Sequence, residues 1–221
     1  SDPICNSQDT IVVTQIPNPM SVNLSTNSVS CYNGSNGQIS AWADGGKLPY
    51  DFYLNGVLNT NAHPLDSFFS DLSSGTYVVS VIDDYNCMIR DTIDVASPLF
   101  PLQALAASKV VVCNGSAEGI AIASAAGGTP GYNYEWFETG NLVSFSSNDT
   151  AFGLSAGSYF LKVIDSNSCS AITSVNIIEP QTSLHASPQI FGVQCKGDNS
   201  GMLVADAGGS WAPYHYYWLD M

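Results

Sequence analysis

The composition of this 221-residue chain excludes several classes of protein. Five Lys plus Arg stand against nineteen Asp plus Glu, and the net charge of −14 disfavours binding to nucleic acid or to an anionic membrane surface. A hydrophobic fraction of 45% is enough for buried cores, but no apolar run approaches the roughly 18 residues of a membrane span, so direct membrane insertion is not expected.

Short apolar runs bounded by Gly, Asn or Asp turns predict β-strands along the chain. In chain order these runs are 38–43, 50–54, 74–83, 91–95, 120–125 and 132–136. Aromatic residues alternate at period two in 50–54 and 132–136, which places one face of each strand inward. No window of about 11 to 18 residues combines a helical period with caps, so the chain is predicted to be all-β.

The six cysteines reveal an internal repeat. Two interleaved sets keep one common, constant spacing: Cys5, Cys87 and Cys169; Cys31, Cys113 and Cys195. Other residues keep the same period without a gap: Gly37, Gly119 and Gly201; Gly45, Gly127 and Gly209; Tyr50, Tyr132 and Tyr214; Asp83 and Asp165. Self-similarity at a fixed period, here about 82 residues, is the signature of a tandem array.

The period divides the chain into four segments. Residues 1–17 are expected to be the C-terminal tail of a preceding repeat, 18–98 and 99–180 two full repeats, and 181–221 the N-terminal part of a third. Seven or so short strands in about 80 residues favour a two-sheet antiparallel sandwich. The predicted fold is therefore a tandem array of immunoglobulin-like antiparallel β-sandwich repeats of about 82 residues, placed end to end.

Aromatic residues concentrate in the strand that follows the Gly-Gly turn. They are Tyr50, Phe52, Tyr132, Tyr134, Trp136, Tyr214, Tyr216 and Trp218. A sugar-stacking platform is one interpretation, but alternation at period two favours core packing. Trp42 and Trp211 have no aromatic counterparts in the other repeats, so they are the candidates for exposed contacts with a surface or ligand.

The recurring residues form one combined pattern. It reads Cys-x-Gly-x-x-x-Gly, Gly-Gly-x-x-Pro-Tyr-x-Tyr-x-Trp, Leu-x-x-Gly-x-Tyr, Val-x-Asp and Asn-x-Cys, ending in Ile-x-Glu-Pro. Its residues in the second repeat are Cys113, Gly115, Gly119, Gly127, Gly128, Tyr132, Tyr134, Trp136, Leu154, Gly157, Tyr159, Val163, Asp165, Cys169, Ile178, Glu179 and Pro180. The first repeat departs from the pattern at Asn33, where Gly is expected, and at Leu54, where Trp is expected.

This pattern resembles the SprB-type repeat of Bacteroidota cell-surface adhesins, which include the giant adhesin of gliding motility. The resemblance covers essentially all of the 221 residues. It implies an extracellular location at the cell surface, reached through type IX secretion. Because residues 1–3 do not open a signal peptide, we expect the array to continue in both directions and any export signal to lie outside these residues.

The cysteines are expected to form disulfides. No two cysteines are closer in the chain than Cys5 and Cys31, so the paired ligand spacing of a zinc site is absent, and His63, His185 and His215 do not recur at the period. Pairing within a repeat gives Cys31–Cys87 and Cys113–Cys169, whereas pairing across junctions gives Cys5–Cys31, Cys87–Cys113 and Cys169–Cys195. Six cysteines allow 15 connectivities, and we favour the first scheme because the two-cysteine pattern belongs to one folding unit.

Asp83 and Asp165, with Asp84 beside the first, lie at a predicted turn. Ca²⁺ takes six to eight oxygen ligands and no Asp-x-Asp-x-Asp-Gly loop is present, so turn capping is favoured over structural calcium. No cofactor is expected, with calcium as the alternative.

Asp-Thr followed by a small or aliphatic residue occurs three times, at Thr10, Thr92 and Thr150. The resemblance implies that these threonines are O-glycosylation acceptors, because Bacteroidota attach glycans to Asp-Ser/Thr-aliphatic sequons. The alternative is structural, since Asp and Thr are common at strand edges and turns.

The recurring Gly, aromatic and Cys residues build a fold rather than a reaction centre, so the chain is not expected to be an enzyme. We expect a structural stalk segment of a large secreted cell-surface adhesin, serving surface adhesion and gliding motility as the resemblance implies. The alternatives are a carbohydrate-binding repeat module and the non-catalytic repeats of an exported hydrolase. Expected partners are the neighbouring repeats of the same chain and an external surface or polysaccharide, with no nucleic acid.

Overall fold

A computed structural model of the protein describes residues 10–12 and 18–219. The chain divides into two compact units, with the boundary between Ser97 and Pro98. In these described residues all regular secondary structure is β-strand, and no helix is long and apolar enough to cross a membrane.

Seven strands form the first unit. They are β1 (Ser21–Asn27), β2 (Gly37–Asp44), β3 (Asp51–Leu54), β4 (Val57–Leu58), β5 (Asp66–Leu72), β6 (Gly75–Ile82) and β7 (Met88–Val95). One sheet has the order β1-β2-β5 and the other the order β4-β3-β6-β7, and every pairing is antiparallel. Two antiparallel sheets divided in this way form an immunoglobulin-like sandwich, which confirms the predicted fold class.

Alternation along the strands fills the core of the first unit. In β2, Ile39 and Ala41 are buried in the core, whereas Trp42 lies on the opposite face of the strand and is 46% exposed. The opposite sheet contributes Phe52, which is fully buried. Complete burial of a side chain of this size stabilises the fold by roughly 1.5–3 kcal/mol relative to leaving it exposed.

The second unit contains a second full sandwich with the same order. Its strands are β8 (Gln103–Lys109), β9 (Gly119–Ala126), β10 (Asn133–Glu138), β11 (Thr150–Leu154), β12 (Gly157–Ile164) and β13 (Ser170–Ile177). The sheets are β8-β9-β11 and β10-β12-β13, and Trp136 is fully buried between them. The 139–149 connection replaces the β4 hairpin of the first repeat, with a single bridge between Trp136 and Ser146.

The front of a third repeat completes the second unit. Its strands are β14 (His185–Ala186), β15 (Gln189–Phe191), β16 (Met202–Val204) and β17 (Ala207–Gly208). Antiparallel pairing of β14 with β17 and of β15 with β16 reproduces the β1–β2 pairing of the first repeat. The described strands of the third repeat therefore pair in the same register as β1 and β2 of the first repeat.

The aromatic residues follow the core prediction in the two full repeats only. Phe52 and Trp136 are fully buried, Tyr50 is 6% exposed, and Tyr132 and Tyr134 pack against the core of the second sandwich. In the third repeat Tyr216 and Trp218 are 48% and 58% exposed. The described part of the third repeat has no counterpart of the strand that covers Trp136, so the core position of this pair stays a prediction.

Candidate functional site

The two ends of each sandwich carry different loops. At one end lies the cysteine loop, residues 29–36 of the first repeat, where the Val29 N–H donates to the Ala96 carbonyl at 2.8 Å just after β7. At the other end lies the Asp turn, residues 83–87, between β6 and β7. The corresponding segments of the second repeat are 111–118 and 165–169. Along the eight residues of β6 the two ends are about 23 Å apart.

The Asp turn is organised by one buried carboxylate. Asp83 is 4% exposed, and its Oδ1 accepts the N–H groups of Tyr85 and Cys87 at 2.9 and 2.8 Å. Its Oδ2 accepts the N–H of Lys47 at 3.1 Å. The side chain therefore closes its own turn and also fastens the segment that contains Lys47.

The second repeat reproduces this arrangement. Asp165 is 2% exposed and accepts the N–H groups of Asn167, Cys169 and Thr129 at 2.9, 2.8 and 2.9 Å. The carboxylate oxygens are thus directed at backbone donors, which is the capping geometry expected from the sequence. In the part of the chain that the structure describes, no group of three or more His, Cys, Asp or Glu side chains could hold a metal ion.

The backbone donors determine the ionisation of Asp83. Burial by itself raises the pKa of this carboxyl, but the N–H groups of Cys87, Lys47 and Tyr85 act in the opposite direction. Their combined effect places the pKa of Asp83 below its ordinary value of 3.8. The turn is therefore built around an ionised carboxylate.

The segment fastened by the carboxylate is the glycine turn, residues 45–47 and 127–129 of the two full repeats. Residues 209–211 form the corresponding glycine turn of the third repeat. A Cβ on Gly128 would lie 2.6 Å from Asp165 Oδ2, at a φ of +58°, so a side chain is excluded on both grounds. The Tyr132 hydroxyl donates to the Gly127 carbonyl at 2.8 Å. Equivalent bonds join Tyr50 to Gly45 and Tyr214 to Gly209. The fixed spacing of Gly and Tyr was the sequence signal for this bond, which was not predicted.

The cysteine loop is closed by a tight turn. In the second repeat the Ser116 N–H donates to the Cys113 carbonyl at 3.1 Å, and Gly115 has a φ of +79°. In the first repeat Asn33 occupies the same position with a φ of +57°. Asn adopts the left-handed conformation more readily than most other residues, so the departure from the Gly of the pattern preserves the turn.

An acidic side chain also fastens the cysteine loop of the second repeat. Glu118 Oε1 accepts the N–H groups of Val112 and Cys113 at 2.9 and 3.0 Å. The Ser116 hydroxyl and the Cys113 N–H hold the pKa of Glu118 below its ordinary value. Asn36 has the corresponding role in the first repeat, where its Oδ1 accepts the Ser30 N–H at 2.9 Å.

The structure contradicts the favoured disulfide pairing. Cys87, Cys113 and Cys195 are free thiols, whereas Cys31 and Cys169 are disulfide-bonded. Neither Cys31–Cys87 nor Cys113–Cys169 is therefore formed. The reason is that each of these pairs joins opposite ends of one sandwich, about 23 Å apart, whereas a disulfide needs Cα atoms within about 7 Å.

The pairing across junctions is also not formed where the structure describes both residues. Cys87–Cys113 would join two free thiols, and Cys195 is free and cannot be bonded to Cys169. The remaining pair of that scheme includes Cys5, which lies outside the described residues.

The junction between the second and third repeats lies within the second unit. The Trp211 indole N–H donates to the Val111 carbonyl at 2.9 Å, and the Ser210 hydroxyl to the Val112 carbonyl at 3.4 Å. Nearby, the Asn114 amide donates to the Pro180 carbonyl at 2.8 Å. The glycine turn of one repeat therefore bonds to the cysteine loop of the repeat before it.

This geometry is accompanied by a match to a known family. A family model for the SprB repeat matches residues 23–59 and 193–221. SprB-type repeats are present in these two segments of the chain. Each matched segment contains a cysteine loop, a glycine turn and the aromatic residues that follow it.

Other comparisons show more distant likeness. No curated protein matches the chain. A C-terminal 282-residue fragment of intimin, solved with the intimin-binding domain of the translocated intimin receptor, is similar at 11% identity over 76% of this chain, with a TM-score of 0.36. The chain spans 66% of that fragment. Fibronectin(III)-like modules of Clostridium thermocellum CbhA are similar at 15% identity over 72% of this chain and 93% of theirs, with a TM-score of 0.30.

The two tryptophans outside the SprB-type pattern have different environments. Trp42 is 46% exposed on the outer face of β2. Trp211 is 43% exposed, but its indole N–H is engaged at the junction. The sequence did not identify this role, because the corresponding residues of the other repeats are Lys47 and Thr129.

A groove of about 540 Å³ lies on the third SprB-type repeat, lined in part by Trp211, Tyr214 and Tyr216. The residues that correspond to this tyrosine pair, Tyr132 and Tyr134, pack against a closed core in the second repeat. The groove is therefore the uncovered half of a sandwich core.

The candidate glycosylation sites differ in accessibility. Thr10 is exposed, and Thr92 is exposed on β7. Thr150 is half-buried on β11, where it pairs with Ile122. Glycosylation stays a prediction at all three, and the first two offer a transferase the more accessible hydroxyl.

Proposed function

We propose that this chain is a structural stalk segment of a large secreted cell-surface adhesin, in which SprB-type repeats serve surface adhesion and gliding motility. The observation that carries the proposal is the junction, where Trp211 and Ser210 donate to carbonyls at the end of the preceding repeat. In such arrays stability sums over the repeats and over the contacts between neighbours. Contacts of this kind transmit load from one repeat to the next.

The recurring residues support a structural role. Asp83 and Asp165 bond to backbone N–H groups of their own turns, and the recurring tyrosines bond to glycine carbonyls. Each is therefore committed to holding a loop in place, and the proposal assigns neither catalysis nor a cofactor to the chain. Its partners are the neighbouring repeats and, through the parent adhesin, an external surface or polysaccharide in the extracellular space.

Limited chymotrypsin digestion of the Trp211→Ala chain tests the junction. The substitution removes one hydrogen bond to the Val111 carbonyl and the apolar contact of the indole, together about 1–2 kcal/mol. The open population of the third-repeat segment should rise roughly 5–30-fold, and with it the initial rate of cleavage within residues 181–219. Fragment masses report where the chain is cut.

Trp42→Ala is the matched control, because Trp42 is equally exposed but lies on the outer face of β2. It should leave cleavage within residues 181–219 unchanged. Equal cleavage rates for the two variants would refute the junction as a stabilising contact. Glycan-array binding by the unmodified chain that is lost in Trp42→Ala would favour the carbohydrate-binding module instead.

A further inference from the structure

A groove of about 500 Å³ lies along one edge of the first sandwich. This edge groove runs between β4 and β5, which are edge strands of the two sheets. Phe69 in its lining belongs to the core and is 8% exposed, whereas Phe68 and Val57 are 53% and 71% exposed. An accessible apolar wall therefore lies beside a packed core.

The residues that line the edge groove do not recur at the period. Phe68 corresponds to Thr150 in the second repeat, and Asn61 corresponds to Val143. The glycines and tyrosines that build the sandwich do recur. Because the second sandwich folds without a phenylalanine at this position, the fold does not require the exposed ring of Phe68.

Two asparagines in the lining have amide groups that a ligand can reach. Asn55 begins the Asn-Gly turn between β3 and β4, with a φ of +48° that is followed by +84° at Gly56. Its Oδ1 accepts the Val78 N–H at 2.9 Å, which fixes the orientation of the side chain. Among the residues that the structure describes, the Asn55 NH₂ group and the side-chain amide of Asn61 have no hydrogen-bond partner. Both groups are therefore available for polar contacts in the groove.

The edge of β5 is partly closed to an added peptide strand. The Asn59 amide donates to the Ser67 hydroxyl at 2.7 Å and to the Phe68 carbonyl at 3.2 Å. An added strand pairs with the backbone groups of an edge strand, and this carbonyl of β5 is already occupied. The groove therefore favours a ligand that contacts side chains rather than backbone.

Charge restricts the class of ligand further. Among the described residues that line the groove, none has a charged side chain. Of the Lys and Arg residues in the first unit, Lys47 is paired with Asp84, and Arg90 lies on β7, three strand spacings or about 14 Å from β4. Asp66 and Asp71 lie in β5 itself. An anionic ligand would meet carboxylates without a nearby cation, so charge complementarity favours a neutral one.

We propose that the edge groove binds a neutral polysaccharide through its hexose units, with Phe68, Asn55 and Asn61 as the contact residues. A hexopyranose ring has C–H groups on its faces, which stack on the negative face of an aromatic ring, and hydroxyls at its edge, which bond to amides. A volume of about 500 Å³ is typical of a ligand pocket. The site goes beyond the function proposed above, and because the junction at Trp211 belongs to the second unit, either proposal can fail without the other.

A glycan array tests the site, followed by NMR titration of the full chain with the oligomer that binds most tightly. The array carries unbranched neutral hexose oligomers and, for comparison, galacturonate oligomers, whose carboxylates are negatively charged. The unmodified chain should bind at least one neutral oligomer and no galacturonate oligomer. In the titration the side-chain NH₂ signals of Asn55 and Asn61 should shift, a result that does not require any variant to fold.

Substitutions of the exposed phenylalanine separate stacking from other contacts. Phe68→Ala should weaken binding about 10-fold or more, because the sugar loses the apolar surface that it covers. Phe68→Tyr keeps the ring and should retain binding. Phe160→Ala is the matched control, because Phe160 is also an exposed phenylalanine but lies on β12 of the second unit. This variant should bind as the unmodified chain does.

Other outcomes would overturn the proposal. They are the absence of binding to any neutral oligomer, preference for galacturonate oligomers, and equal affinities of Phe68→Ala and the unmodified chain. Binding that is lost in Trp42→Ala and kept in Phe68→Ala would place the sugar on the outer face of β2 instead. A chain that binds an extended peptide of alternating Thr and Val through Phe68, and no sugar, would make the groove a site of strand addition.

Discussion

At the scale of the residue, Asp83 and Asp165 explain why an acidic residue recurs in a chain with few charges. Each accepts three backbone N–H groups from two segments of the chain. An ionised carboxylate has about four acceptor sites on two oxygens and no donor, which suits a position surrounded only by N–H groups. The side-chain amide of an Asn at this position would instead direct its own N–H groups at one of these backbone N–H donors.

The lowered pKa of Asp83 predicts a pH dependence for the first unit. Because the folded-state pKa lies below the ordinary value of 3.8, the ionised carboxylate stabilises the fold above that value. The stabilisation is lost as the pH falls from about 4 through the folded-state pKa, where the folded state must also take up the proton. Urea denaturation of the chain between pH 6 and pH 2.5 should show the first unit losing stability in this window.

Two variants isolate the contribution of this one carboxylate. Asp83→Asn should lower stability at neutral pH and flatten the dependence below pH 4. Asp51→Asn, at an exposed carboxylate of the same unit, should keep the slope of the unmodified chain. An unchanged slope in Asp83→Asn would mean that the turn does not depend on the ionised form.

At the scale of the element, alternation and turn chemistry predicted six strands, β2, β3, β6, β7, β9 and β10, and the core positions of Phe52 and Trp136. The remaining strands lay beyond these signals. The short β4 and the strand β5 were not predicted individually, so the number of strand reversals between Cys31 and Cys87 was not fixed. The sequence therefore could not tell which ends of the sandwich the cysteines occupy.

A glycine at the start of β9 tests how closely the two sheets approach. A Cβ on Gly119 would lie 2.6 Å from both Ile177 Cγ2 and the Leu154 carbonyl oxygen. Gly119→Ala should therefore destabilise the second unit by about 1–3 kcal/mol, as overpacking of a core does. Thermal unfolding followed by circular dichroism measures the change.

Gly192 provides the matched control, because an added Cβ there meets open space and its φ is not in the left-handed region. Gly192→Ala should have an unfolding temperature close to that of the unmodified chain. A Gly119→Ala chain as stable as this control would show that the recurrence of glycine at Gly37, Gly119 and Gly201 has another cause.

At the scale of the whole molecule, the period predicted the tandem organisation but not the covalent links. The prediction of pairing within a repeat assumed that the two cysteines of one folding unit meet. Strand direction places them about 23 Å apart, and the contacts of Trp211 show which end meets the following repeat.

Single-molecule stretching of the chain from its two ends tests the stalk proposal most directly. In reducing buffer the two full repeats should unfold in two discrete events, each releasing roughly 250 Å for about 80 residues at 3.3–3.6 Å per residue, less the length of the folded sandwich. Smooth extension at low force in reducing buffer, with no discrete events, would contradict a load-bearing stalk.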